Sequence, residues 1–387
     1  MKKLVIKIGS QLLTDKQMQL NQIMIESIAV QVAELLKSGK QVVLVSSGAV
    51  ASGRSAKTLI GPFSLVPDQQ DPDLLREQIL AAVGQPRLMR VYRRMFEKQN
   101  PPIEAAQLLV TRADFADRKR YVSLRTVVEN LVRLGIVPIF NENDVLSTEE
   151  LDFSDNDQLA CMVSAMIDAD LLLTLTDVPG LLDKHPDEGG KLIKQVENPE
   201  SVRALAHPRK KKEGVVSKGG MLSKIEAADL ITKLGIPMRI ASGYEDKVIT
   251  RIAAQDENVG TLFPVHGRKL SRKKIWISAG AAVTGRISVS TFLADRLRKK
   301  HVASILLRGV ESLGGEEQNP EKKETFTEGD VVEVLDMDGT VLGKGQVRMG
   351  ADELRDAILA ERAKNSAGTR TPGGEKIVIH YDYFVLS

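Results

Sequence analysis

The sequence predicts an α/β protein, a three-layer αβα sandwich around a mostly parallel sheet, followed by a small, mainly β module at the C-terminus. Two observations predict the first part. Short, near-continuous apolar runs such as Leu4-Val5-Ile6 and Val42-Val43-Leu44-Val45 read as strands buried on both faces. Between such runs lie segments whose apolar residues recur at helical spacing, and this alternation builds a parallel sheet covered by helices on either side. A third observation is the change of pattern near residue 265, beyond which the apolar runs are short and separated by turn residues.

Leu4-Val5-Ile6 forms the first strand. The next helix runs from about Asn21 to Ser38, with Ile25, Ile28, Val32 and Leu35 on one face, and Gly39 closes it. Val42 to Val45 is the second strand; a helix follows Gly48, and a long amphipathic helix covers about Asp73 to Lys98. Further strands are expected at Ala105 to Val110, Ile136 to Phe140, Leu171 to Leu175 and Met238 to Ala241. The basic segment Gly267 to Lys274 reads as a linker, giving a catalytic domain at 1–265, a linker at 266–274 and a β-rich domain at 275–387. Within that last domain the strand-like runs are Gly285 to Val289, Ser304 to Leu307, Asp330 to Val334 and Gly339 to Gly343. Gly314 to Lys323 and Ala363 to Glu375 read as polar loops.

Composition narrows the class. The chain has 387 residues, 42% hydrophobic and 27% charged, which suits a globular protein of two or so domains. Its single cysteine, Cys161, excludes an internal disulfide framework and fits a reducing compartment. The five histidines have no ligand spacing, which argues against a zinc site. No secretory leader and no apolar run of membrane-spanning length is visible, so a cytoplasmic location is expected. A net charge of +3 does not by itself indicate a nucleic-acid partner, although basic clusters occur at Arg209 to Lys212, Arg268 to Lys274 and Arg296 to Lys300.

Several strand-end loops carry residues suited to phosphate chemistry, each with a simpler reading beside it. Ser217-Lys218-Gly219-Gly220-Met221-Leu222-Ser223-Lys224 leads into a helix whose free N–H groups, with Lys224 in the first turn, suit an anion; it also fits an ordinary loop-to-helix joint. Lys7, in an apolar strand before Gly9, either faces a phosphate or snorkels to water. Ser47-Gly48 permits close backbone approach, or is a plain tight turn. Asn141-Glu142-Asn143-Asp144 and Ser154-Asp155-Asn156-Asp157 concentrate more acids and amides than N-capping requires, and suit a small zwitterion, an oriented lysine or a magnesium-bound phosphate. Thr176-Asp177 either contacts a nucleotide or belongs to the turn closed by Pro179-Gly180. Together these features fit phosphoryl transfer from a magnesium nucleotide to a small carboxylate.

In order and along essentially the whole chain, these motifs resemble the glutamate 5-kinases, members of the amino-acid kinase family that carry a C-terminal PUA domain. The segments concerned include Val5 to Ser10, Val45 to Ala49, Ala81 to Gln85, Leu108 to Asp114, Asn141 to Asp144, Asp155 to Asp157, and Gly219 to Lys224. The resemblance implies the amino-acid kinase fold and ATP-dependent phosphorylation of the γ-carboxylate of L-glutamate. It implies that Ser47, Gly48, Asp144, Asp155 and Asn156 bind glutamate. It makes Lys7, Lys224 and Asp157 catalytic, with Asp157 holding the two lysines. Lys7, Gly9, Thr176, Asp177 and the stretch Lys218 to Lys224 would contact ATP. It further implies Mg2+ carried by ATP rather than by the protein, proline as feedback inhibitor and a homodimer or homotetramer. No membrane is implied, and RNA binding through the PUA-like domain is a minor alternative. The chain departs from the family pattern at Lys218, Ser154 and Asp152, which bears on nucleotide affinity and feedback inhibition.

Overall fold

The structure, a computed structural model, describes residues 1–15, 19–55, 72–146, 156–185, 188–206, 220–265, 270–299, 304–314, 323–366 and 376–386. The chain folds into two compact units, Met1–Lys269 and Leu270–Ser387.

The first unit contains strands β1 (Lys3–Ile8), β2 (Gln41–Ser46), β3 (Ala105–Val110), β4 (Val137–Glu142), β5 (Leu171–Thr176), β6 (Met238–Ser242) and β7 (Thr261–Phe263). Its helices are α1 (Ser10–Leu13), α2 (Gln22–Lys37), α3 (Ala49–Arg54), α4 (Pro72–Glu97), α5 (Arg112–Ala116), α6 (Arg118–Arg133), α7 (Asn156–Ile167), α8 (Met221–Lys233) and α9 (Val248–Ala253). The strands form one sheet in the order β3-β4-β2-β1-β5-β6-β7, parallel throughout except for β7, which runs antiparallel to β6. Local chemistry sets the element ends. Asn21 caps α2 by accepting the Met24 N–H at 3.1 Å, and Gly39, at φ +76°, ends it.

Strand alternation decides which face each side chain serves. Leu4, Ile6 and Ile8 pack with Ile25, Ile28 and Val32 of α2, with Leu88, Tyr92 and Phe96 of α4, and with Val248 and Ile252 of α9. Helices α6, α7 and α8 lie against the strands too, and Lys7, of opposite parity to Ile6 and Ile8, meets α7. The sheet is thus the middle of three layers, as expected. The register Ile8↔Ser46, Ile8↔Leu175 and Thr176↔Ser242 brings the carboxyl ends of β1, β2, β5 and β6 to one edge. Chain order reverses around β1, with β2 on one side and β5 on the other, and a ligand cleft opens at such a switch point.

The second unit holds a six-stranded mixed sheet, β10-β8-β11-β12-β13-β9. Its strands are β8 (Val283–Val289), β9 (Ile305–Leu306), β10 (Val310–Leu313), β11 (Val331–Leu335), β12 (Val341–Val347) and β13 (Ile377–Leu386). Helices α10 (Arg272–Ile275), α11 (Thr291–Arg298) and α12 (Ala351–Ser366) accompany it. Its core joins Ile287, Val289, Val332, Val334 and Phe384 to Leu354 and Ile358 of α12. A second, mixed sheet of this kind accords with the PUA-like expectation. Three local expectations change. Ala363 to Ser366 is the end of α12, not a loop, because Ala351, Leu354 and Ile358 anchor that helix at turn spacing in the core. The strand expected over Ser304 to Leu307 shortens to two residues before a 3₁₀ turn. Arg272–Ile275 is helical and runs into a π-helical turn, Trp276–Gly280.

Candidate active site

Three buried charges form the centre of the site. Asp157, in the first turn of α7, is 1% exposed, and its two oxygens face two lysines. Lys7 Nζ, arriving from β1, lies 2.7 Å from Oδ1; Lys224 Nζ, from the first turn of α8, lies 3.1 Å from Oδ2. Ser223 Oγ donates to the same Oδ2 at 3.2 Å, and Lys224 Nζ also donates to the Gly220 carbonyl at 3.3 Å. Two ammonium groups around one carboxylate give the trio a net positive charge in a site largely shielded from water. Such charge is strongly attractive to an anion, since interior charges interact more strongly than solvated ones.

The second part of the site lies across the ends of β2 and β4. Asn156 Nδ2 reaches Ser47 Oγ at 2.9 Å, the Ser46 carbonyl at 3.3 Å and Asn141 Oδ1 at 3.3 Å. Asn141 Nδ2 donates to Gln85 Oε1 at 2.9 Å. Ser46 Oγ donates its one hydrogen to the Ser47 carbonyl at 3.0 Å, so the Tyr92 hydroxyl, 2.9 Å away, donates to Ser46. Burial pushes the Tyr92 phenol well above its usual pKa, against a smaller opposing effect of the Ser46 bond, and keeps it a neutral donor.

Backbone geometry explains how these residues converge. Gly48 has φ +100°, a left-handed conformation that turns the chain from β2 into α3 immediately after Ser47. At Gly84, a Cβ would stand 1.8 Å from the Ala49 carbonyl oxygen, so α3 and α4 come together only because that position lacks a side chain. This close approach brings Gln85 and Tyr92 of α4 beside Asn141 and Ser46.

Of the residues singled out from sequence, Lys7 and Lys224 each contact Asp157, and Ser47 and Asn156 are hydrogen-bonded. Asp144 is half-buried in the turn after β4, and Gly48 follows Ser47. Gly9 N–H donates to the Leu175 carbonyl at 3.1 Å, tying the end of β1 to β5. At the end of β5, Thr176 Oγ1 donates to Asp177 Oδ1 at 3.2 Å. Gly220 caps α8 at a negative φ, and among the described residues nothing lies within 4 Å of a Cβ there; Met221 is half-buried and Leu222 exposed. Asp155, Lys218 and Gly219, with the departures at Asp152 and Ser154, lie outside the described residues. The supporting residues Gln85, Tyr92 and Ser46 were not among the site residues read from sequence, whereas Ser223 was, as part of the nucleotide-side stretch. The available signal was a polar side chain on the core-facing side of a helix or strand. Among the described residues, no group of three His, Cys, Asp or Glu side chains is placed to hold a metal ion.

The chain matches the amino acid kinase family over residues 2–242. It is 35% identical over 391 residues to a glutamate 5-kinase of Dictyoglomus thermophilum, covering 100% of this chain and 97% of that protein. With a glutamate 5-kinase of a Marinomonas species it shares 37% identity over 387 residues, covering 99% and 97%. The solved structure of UMP kinase from Bacillus anthracis overlays 69% of this chain and 97% of its own, at 16% identity and a TM-score of 0.47. With a family match over most of its length and full-length relatives above 30% identity, the chain belongs to the amino acid kinase family, in its glutamate 5-kinase branch.

Proposed function

We propose that the protein transfers the γ-phosphoryl group of ATP to the γ-carboxylate of L-glutamate, giving ADP and L-glutamate 5-phosphate, the first step of proline synthesis. The observation that carries this reading is the buried Lys7–Asp157–Lys224 trio beside the Ser47–Asn156 amide and hydroxyl pair. The trio suits a phosphoryl group, and the pair suits the head of an amino acid.

In this reading Ser47, Gly48, Asp144, Asp155 and Asn156 hold glutamate. Thr176, Asp177, Gly9 and the Lys218 to Lys224 stretch hold the nucleotide. A γ-carboxylate oxygen forms the new P–O bond, and the bond to the bridging oxygen breaks with its electron pair leaving on ADP. A glutamate side chain, with pKa about 4.3, is already ionised near neutral pH, so no proton must be removed from the nucleophile. Lys7 and Lys224 meet charge on the equatorial oxygens and the leaving group, and Asp157 fixes both ammonium groups beforehand. Kinase chemistry on ATP implies a divalent cation, for which Mg2+ is our assignment. Both Asp157 oxygens face lysines, and we assign the cation to the nucleotide, with no step routed through it.

Proline, which shares the α-carboxylate and a positively charged nitrogen with glutamate, is expected to compete at the Ser47–Asn156 side. We also assign residues 1–265 to the kinase domain and 275–387 to a PUA-like domain, with a homodimer or homotetramer in the cytoplasm. No helix of the described residues is long and apolar enough to cross a membrane. ADP release from purified protein with ATP and L-glutamate, with and without proline, is the direct test. Release that depends on glutamate, and not on N-acetylglutamate, aspartate or carbamate, is the expected result; its absence overturns the assignment.

A further inference from the structure

Two backbone groups dictate the polarity of the amides at the sheet edge. The Glu142 N–H, which can only donate, lies 3.0 Å from Asn141 Oδ1 and identifies that atom as the oxygen. Asn141 Nδ2 is therefore turned to Gln85 Oε1, and both residues are buried. The Ser46 carbonyl can only accept, and it identifies Asn156 Nδ2 in the same way. With Ser46 O, Ser47 Oγ and Asn141 Oδ1 all around that nitrogen, Asn156 Oδ1 is turned elsewhere. It is buried and has no hydrogen-bond partner among the described residues. A buried acceptor left without a donor is costly, so this oxygen is a place for a donor brought by a ligand. Ser47 Oγ, already receiving an N–H from Asn156, keeps its own hydrogen to give to an anion.

We propose that Gln85 is a positioning residue for amino-acid recognition. Its Oε1 holds Asn141, Asn141 holds Asn156, and Asn156 thereby presents its carbonyl oxygen, not its NH2, to the α-ammonium of the substrate. The inference rests on the reading of glutamate as substrate, and it adds a residue that touches none of the reacting atoms. Without an acceptor at position 85, Asn141 Nδ2 becomes a buried donor with nothing to bond. The Asn141 amide then rotates, Asn156 loses one of the acceptors that fix it, and its NH2 is free to turn toward a group that also carries only donors. An acid lacking the ammonium, such as glutarate, gains nothing from Asn156 Oδ1 and should be insensitive to this change.

Two variants of the full-length protein test the relay. Gln85→Met keeps side-chain length without an acceptor, whereas Gln85→Glu keeps an acceptor oxygen. For Gln85→Met, the glutamate KM should rise about tenfold or more, while kcat and the ATP KM stay within about threefold. The preference for glutamate over glutarate should narrow by a similar factor, and Gln85→Glu should restore the glutamate KM to within about threefold of wild type. An unchanged glutamate KM in Gln85→Met, or a loss shared equally with ATP, overturns the proposal. If Gln85→Met does not fold, Gln85→Glu decides: a near-wild-type KM supports the relay and a tenfold rise in a folded protein refutes it. Side-chain amide hydrogen exchange gives a readout that needs no turnover. Gln85→Met, or Gln85→Glu if the former does not fold, is compared with wild type at Asn141 and Asn156. Faster exchange at both in the Met variant, or wild-type exchange at both in the Glu variant, supports the relay; the opposite pattern overturns it. A wild-type protein that ignores glutamate therefore defeats the substrate reading while exchange still judges the relay.

Discussion

Asp157 is where residue-scale chemistry is most exposed to test, because both buried lysines depend on it. Asp157→Asn removes the shared negative charge and leaves two ammonium groups close together. Breaking a buried pair in this way costs about 3–5 kcal/mol. The full-length protein should therefore melt on the order of 10 °C lower, which calorimetry can read. Glutamate-dependent kcat should fall by about two orders of magnitude or more. Lys224→Ala separates stability from chemistry. It relieves one positive charge, so melting should change little, while kcat drops roughly 100- to 1,000-fold in a steady-state assay. Unchanged turnover in that variant removes Lys224 from the phosphoryl site. Lys7 and Lys224 stood out in the sequence because a lysine in an apolar strand and another in a glycine-led first turn each suit an anion, although each also had a plainer reading. Asp157 stood out through its loop composition. Its contact with both lysines, from residues 150 and 67 positions away in the chain, required the fold.

The pairing of α3 and α4 rests on Gly84, and this makes an element-scale prediction. Alanine normally stabilises a helix interior over glycine by up to about 1 kcal/mol. Here its Cβ would overlap the Ala49 carbonyl, and overpacking of this kind costs about 1–3 kcal/mol. The clash should win, so Gly84→Ala is expected to lower the melting temperature by several degrees, roughly 2–4 °C per kcal/mol. It should also raise the glutamate KM more than the ATP KM, since α3 begins at the turn that carries Ser47. Equal effects on both constants would separate this packing from the substrate pocket. Elements with strong periodicity were legible in the sequence alone: α2, α4 and β3 lie within a residue or so of their expected spans. Thr261–Phe263 was not, because three residues carry no usable period. The helices α11 and α12 were missed in a region read mainly for its turns and β-branched runs.

At the scale of the molecule, each unit has its own buried cluster, and all the described site residues belong to Met1–Lys269. A chain ending at Lys269 is therefore expected to unfold cooperatively and to keep its glutamate and ATP KM values within about threefold of full length. Circular dichroism melts and the ADP-release assay check this. An aggregated or inactive fragment would mean that the catalytic unit depends on residues beyond 269. A salt-dependent gel-shift assay on the full chain is the matching test of whether its C-terminal unit has a nucleic-acid ligand.

The sequence by itself determined the alternation of strands and helices, the parallel sheet and the positions of the glycine turns, since these follow from local periodicity and backbone freedom. It also brought the phosphate-seeking lysines and the amide-rich loops to notice as residue types out of keeping with their surroundings. The tertiary structure decided which oxygen of Asp157 meets which lysine, that Ser223 joins them, and that Gln85 stands behind Asn141. Those facts depend on strand order, on the register between parallel strands and on the near-contact of two helices. Each sums interactions between residues distant in the chain, and no local pattern encodes such a sum.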